Sequence, residues 1–159
     1  MKDILYIDLD GVIFNFKKAF NQALVENPRQ PYPQSQLGFF LNLEPMKNAL
    51  YAFERLDEKF DVYFLTAPST KNPLCYTEKR MSIEKWFGFE ACKKLIICEN
   101  KSLLKGKYLI DDRTDTHKQN EFEGKLIQFG SEEFPDWISV LSYFGMFVDG
   151  VCSSSKKST

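Results

Sequence analysis

The chain has 159 residues, 43% of them hydrophobic and 27% charged, which suits a single domain able to bury a true core without disulfide or metal staples. Its 21 lysines and arginines against 22 aspartates and glutamates leave a net charge of −1, without the basic excess expected of a protein that coats nucleic acid or an anionic membrane. Ile4-Leu5-Tyr6-Ile7 is too short for the apolar region of a signal peptide, and no apolar stretch approaches the ~20 residues that span a bilayer, so the expectation is a cytoplasmic protein.

In chain order, Ile4-Leu5-Tyr6-Ile7 reads as a β-strand that stops at Asp8-Leu9-Asp10-Gly11. Phe16, Phe20, Ala23 and Leu24 recur at helical spacing and predict an amphipathic helix from Phe14 to about Val25. Pro28, Pro31 and Pro33 then mark a loop. Pro45 is expected at the first position of a second helix, with Met46, Ala49, Leu50, Phe53 and Leu56 as its apolar stripe. Asp61-Val62-Tyr63-Phe64-Leu65 is a buried strand ended by Thr66-Ala67-Pro68. A helix follows from about Tyr76 to the terminating Gly88. Leu95–Cys98, Tyr108–Ile110 and Lys125–Phe129 are three more strands, Trp137, Ile138, Leu141 and Phe144 mark a last helix, and Val151–Thr159 is a Ser/Lys tail expected to be disordered. Strands alternating with helices predict an α/β fold on a parallel sheet, in which ligands bind beyond the carboxyl ends of the strands.

The cysteines (Cys75, Cys92, Cys98, Cys152) form no C-x-x-C pair and read as reduced thiols, with Cys98 in the core. His117, the one histidine, sits among polar residues in a loop, so zinc chemistry and His-assisted nucleophiles are not expected.

Three strand ends deliver chemistry to one edge of the sheet: Asp8 and Asp10, then Thr66, then Asp111 and Asp112. Carboxylates gathered there would repel one another without a cation between them, and all-oxygen ligands suit a hard ion such as Mg2+, with a phosphate completing its shell. Lys101, eleven residues before Asp112, could offset the remaining charge, and Lys79 is a second candidate. Residues two apart in an extended segment point the same way, so Asp8 and Asp10 could flank one phosphorus atom, one as nucleophile and the other as proton donor.

Asp8-Leu9-Asp10-Gly11-Val12 after an apolar strand resembles the first motif of the haloacid dehalogenase-like superfamily, and the rest of the chain resembles its 5'(3')-deoxyribonucleotidase branch. Gly38–Pro45, Thr66-Ala67-Pro68, Tyr76–Lys79 with Glu84–Gly88, Asn100-Lys101, Leu109–Arg113 and Asp136-Trp137 are similar to that family's later motifs, in order from about Ile4 to Leu141. The resemblance implies a Rossmann-like doubly wound sheet over residues 1–148, with a short cap insertion at about 17–37 and a tail at 149–159. It implies an aspartyl-phosphate formed on Asp8, and Asp10 as acid and then base. Thr66 and Lys101, with Lys79 as a further candidate, would hold the phosphoryl oxygens, and Phe16 would lie beside the substrate. Mg2+ would be bound by Asp8, the Asp10 carbonyl and Asp112, with Asp111 in support.

Two departures from the family pattern stand out. Only 21 residues separate Phe16 from Gly38, too few for the family's full helical cap, and Ala67 replaces a serine. The expected partner is a small phosphomonoester, foremost a nucleoside monophosphate, with no nucleic-acid polymer and no membrane; the resemblance also allows a homodimer. Two rivals remain: a phosphatase of another small ester such as a sugar phosphate, and a phospho-acceptor signalling domain. The second carboxylate two residues after Asp8 favours hydrolysis, since a storage module needs no leaving-group acid.

Overall fold

Five short strands carry the fold: β1 (Ile4–Ile7), β2 (Asp61–Thr66), β3 (Leu95–Ile97), β4 (Tyr108–Asp111) and β5 (Lys125–Gln128). All pair in parallel, in the order β3-β2-β1-β4-β5. The computed structural model describes residues 1–146; the tail expected at 149–159 lies outside the described residues. Strand order reverses direction between β1 and β4, so their carboxyl ends open the crevice where ligands of such sheets sit. Ile7 pairs with Phe64 on one side and Ile110 on the other, which brings the following residues of all three strands level.

The alternation along each strand sorts residues into two layers. Leu5, Ile7, Val62, Phe64, Ile110 and Ile127 face one layer, formed by α2 (Ala49–Lys59), α3 (Cys75–Phe87) and α4 (Trp137–Tyr143). Each such aliphatic or aromatic side chain contributes roughly 1.5–3 kcal/mol on full burial. Tyr6, Leu65 and Leu109 face the other way and cluster with Phe122. Among the described residues, no α-helical side chain joins that second cluster. Its cover comes from the connections on either side of β4, which carry 3-10 turns at Lys101–Leu103 and Gln119–Glu121. Asp8 and Asp111 continue the parity of Tyr6 and Leu109, so those turns lie on the side to which the two carboxylates point.

α1 (Phe16–Glu26) begins where the Asn15 side chain caps Lys18 N at 3.1 Å. Residues 17–37 are this helix and a loop with a 3-10 turn at Pro33–Ser35. Both ends are fastened. Asn15 N donates to Glu44 O at 2.8 Å, while Gly38 N and Phe40 N donate to the Glu78 carboxylate at 2.6 and 3.2 Å. The Asn72 amide links Gln36 O to the same carboxylate, at 3.2 Å each.

Two sequence expectations need correction. Pro45 does not open α2, which starts at Ala49 after Asn48 turns through φ 65°. Pro45 instead bridges to Phe14, and Met46 N donates to Ile13 O at 2.7 Å, so pairing with the loop after β1 takes the positions a helix would have used. Cys98 is half-buried rather than core, because β3 is an edge strand that ends at Ile97. No helix among the described residues is long and apolar enough to cross a membrane.

Candidate active site

The ladder continues one residue beyond β1, with Asp8 N donating to Ile110 O at 2.9 Å. The chain then turns tightly, Leu9 O accepting from Ile13 N and Phe14 N at 3.0 and 2.9 Å. Gly11 makes the turn at φ 85°, and a Cβ there would lie 2.6 Å from Asp112 Oδ2. Glycine is needed for both reasons: the left-handed conformation and the close passage of the neighbouring carboxylate.

Lys101 is buried beneath this turn. Its Nζ donates to Asp8 Oδ1 at 2.7 Å and to Asp111 Oδ2 at 2.5 Å. Asp111 also accepts from Arg113 N at 2.9 Å and from the Gln119 amide at 3.2 Å, so both its oxygens are occupied. Asp112 pairs more loosely, with the Arg113 guanidinium at 3.6 Å. On the opposite side, Lys79 donates to Asp10 Oδ2 at 2.8 Å, Thr66 Oγ1 at 2.7 Å and Ala67 O at 2.6 Å. Asp10 Oδ1 is buried without a partner.

Four carboxylates (Asp8, Asp10, Asp111, Asp112) thus face two buried ammonium groups (Lys79, Lys101) and, at the rim, the Arg113 guanidinium, leaving one negative charge. The imbalance registers on the acids. Burial, opposed by Lys101 and reinforced by Asp111 and Asp10, pushes the Asp8 carboxyl up to about 7. Burial and then the charge of Asp111 push Asp112 up to about 6. Burial would lower Lys101, but Asp8 and Asp111 outweigh it and hold the ammonium above its ordinary value. Asp8, Asp111 and Asp112 each offer an oxygen within 4.8 Å of the others. An all-oxygen set with more negative than positive charge fits a hard divalent cation.

These groups form the floor of an open cleft of about 280 Å3. Phe16 and Phe40 line its apolar wall, with Lys17, Gln34, Arg113 and His117 also lining it. Phe16 serves packing as well, its ring centroid 5.4 Å from Phe39 and 5.8 Å from Phe20. Asp8, Asp10, Thr66, Lys101, Asp111, Asp112 and Phe16 all reach this cleft. Lys79 stands behind it, 2% exposed. His117 lies in a loop as expected, half-buried, with its Nδ1 3.0 Å from Glu99. Sequence reasoning missed Gln119, Gln34 and Phe40. A lone polar residue in a short connection carries no signal, whereas the aromatic pair Phe39-Phe40 after a turn glycine could have drawn notice.

Residues 30–135 match the family model described as "5' nucleotidase, deoxy (Pyrimidine), cytosolic type C protein". The chain is 40% identical over 144 residues to a protein of Vibrio phage KVP40 provisionally named a 5'(3')-deoxyribonucleotidase, covering 89% of this chain and 84% of that one. It is 27% identical over 166 residues to the human cytosolic-type 5'(3')-deoxyribonucleotidase, covering 85% and 77%. A protein of Acanthamoeba polyphaga mimivirus, also provisionally named a 5'(3')-deoxyribonucleotidase, is 27% identical over 142 residues, covering 70% of this chain and 63% of its own length.

Proposed function

The chain belongs to the cytosolic type C family of deoxy (pyrimidine) 5' nucleotidases and is a phosphoric monoester hydrolase, and we propose that it is a Mg2+-dependent phosphatase of (deoxy)nucleoside 5'-monophosphates working through an aspartyl-phosphate. The observation that carries the reading is the separation of two aspartates onto two different lysines. Asp8 pairs with Lys101, and Asp10 with Lys79.

Lys101 holds Asp8 Oδ1, which leaves Oδ2 to attack phosphorus. As the Asp8–phosphorus bond forms and the ester bond breaks, Asp10 gives its proton to the leaving alkoxide. Asp10 then takes a proton from the water that hydrolyses the acyl phosphate. The Thr66 hydroxyl and the Lys101 ammonium steady the phosphoryl oxygens, while Phe16 and Phe40 offer an apolar wall to a flat leaving group. Asp8, Asp112 and the Asp10 carbonyl would hold Mg2+, with Asp111 in support because its oxygens are already engaged. Bound there, the ion would neutralise charge on the phosphoryl group and on the attacking carboxylate.

Phosphate release from dUMP, dTMP, AMP and simple sugar phosphates, with Mg2+ or with EDTA, tests this reading. Mg2+-dependent turnover of nucleotides, abolished by Asp8→Asn with the fold intact, is expected. A sugar-biased profile would move the assignment to another small phosphomonoester, and stoichiometric phosphorylation without turnover would move it to a phospho-acceptor domain.

A further inference from the structure

Lys79 is among the largest fully buried side chains of the molecule, and it is a cation. An ammonium has three protons to donate. All three are engaged by protein oxygens at 2.6–2.8 Å: Asp10 Oδ2, Thr66 Oγ1 and Ala67 O. To grip a phosphate it would have to abandon one of them. The geometry points to Lys79 as a positioning residue that fixes the acid-base carboxylate of Asp10 and the hydroxyl of Thr66, rather than as a phosphate ligand. The inference rests on the reading of Asp10 as the proton donor.

Two consequences follow from the contacts. By taking Asp10 Oδ2, Lys79 fixes the rotation of a carboxyl group whose other oxygen has no protein partner to hold it. By donating to Thr66 Oγ1, it occupies a lone pair of that oxygen and frees the hydroxyl proton for a phosphoryl oxygen, since the alternative acceptor, Ala67 O, is 3.4 Å away. One side chain of α3 thereby sets two groups, one in the turn after β1 and one at the end of β2. The Phe40 ring lies 4.9 Å from the ammonium and covers one side of it.

The leaving group provides the test. An alkoxide must be protonated as it departs, whereas p-nitrophenolate departs without help. In Lys79→Met, kcat/KM for a nucleoside 5'-monophosphate should fall about 100-fold or more, the scale of general acid catalysis, and kcat/KM for p-nitrophenyl phosphate by less than about tenfold. Inhibition by inorganic phosphate should weaken by less than about tenfold, the share carried by a misaligned Thr66 hydroxyl and well below the loss in kcat/KM for the nucleotide, because Lys79 itself makes no phosphate contact. In an Asp10→Asn background, Lys79→Met should cost little more, as expected of groups that act as one unit. Should the methionine variant fail to fold by circular dichroism, Lys79→Gln, shorter and uncharged but still a donor, should lose less nucleotide activity, again with a larger fall for the nucleotide than for p-nitrophenyl phosphate. Equal losses for both esters, or inhibition by phosphate weakening in step with kcat/KM, would overturn the positioning role. Wild-type protein that releases phosphate from neither ester would overturn the phosphatase reading and this inference with it.

Discussion

Replacing Lys101 by methionine removes one ammonium from two buried carboxylates while keeping most of the side-chain volume, so the effect is electrostatic rather than a cavity. The lysine side chain is 1% exposed, and those of Asp8 and Asp111 are 8% and 0% exposed. Solvent therefore cannot take over the lost contacts. Breaking a buried ion pair from one side costs about 3–5 kcal/mol. For a chain of this size each kcal/mol moves Tm by about 2–4 °C, so a fall of about 6–20 °C is expected. Thermal melts at pH 7.5 in EDTA measure it, with Lys107→Met as the control. The Lys107–Asp3 pair is as short, at 2.6 Å, but about half-exposed on both sides, and its loss should leave Tm unmoved. Adding Asp111→Asn to Lys101→Met should return part of the loss, giving a coupling of about 0.5–3 kcal/mol in the double-mutant cycle. A fall below about 2 °C, or strictly additive losses, would refute the claim that this ammonium neutralises both acids.

Three further outcomes are expected. The folded-state carboxyls of Asp8 and Asp112 lie at about 7 and about 6, above the ordinary 3.8, so their contribution to stability is full below that ordinary value and lost as pH rises through 6 and 7. Metal-free protein should therefore melt lower at pH 8 than at pH 5.5, and Mg2+ should raise Tm more at pH 8; a flat metal-free profile would contradict the charge imbalance. Gly11→Ala should cost about 1–2 kcal/mol for the left-handed backbone, read as a lower urea midpoint, and should weaken Mg2+ binding at least about tenfold by displacing Asp112. Trp137→Phe removes the 3.1 Å bond from Nε1 to Val12 O and strands a buried carbonyl at the turn after β1, costing about 1–3 kcal/mol in chemical denaturation.

The parallel strands and the acids at their ends were legible because each strand is a short apolar run that stops at a carboxylate or a threonine, a pattern contained within a few residues. Lys79 was not separable from a surface lysine on the same grounds, since its main partner lies 69 positions away. A local signal did exist. Cys75, Glu78, Lys79, Ser82 and Ile83 recur at three, four, seven and eight residues, and all are buried, so the two charged residues fall on the inward stripe of α3. A charge on such a stripe needs a partner, and that need is the clue. The start of α2 was misplaced for the opposite reason: proline's helix-opening habit is a local preference, and pairing with the distant Phe14 overrode it. Nor could the second face of the sheet be foreseen, because 3-10 turns leave no periodic imprint in so few residues.

The two fastenings of residues 17–37 make that stretch a detachable part. Its entrance is closed by Asn15 and Glu44, and its exit by Gly38, Phe40 and Glu78, all outside the stretch itself. Between fixed ends, doubling the length of a loop costs only about 0.6 kcal/mol. The sheet edge can thus carry a short insertion or a long one at nearly the same stability. Glu78, which grips the exit, is the immediate neighbour of Lys79, which grips Asp10. Under the proposed mechanism, the stretch can be exchanged wholesale while the turn of helix that anchors its exit keeps Asp10 in place, so the cleft's rim can change without its floor.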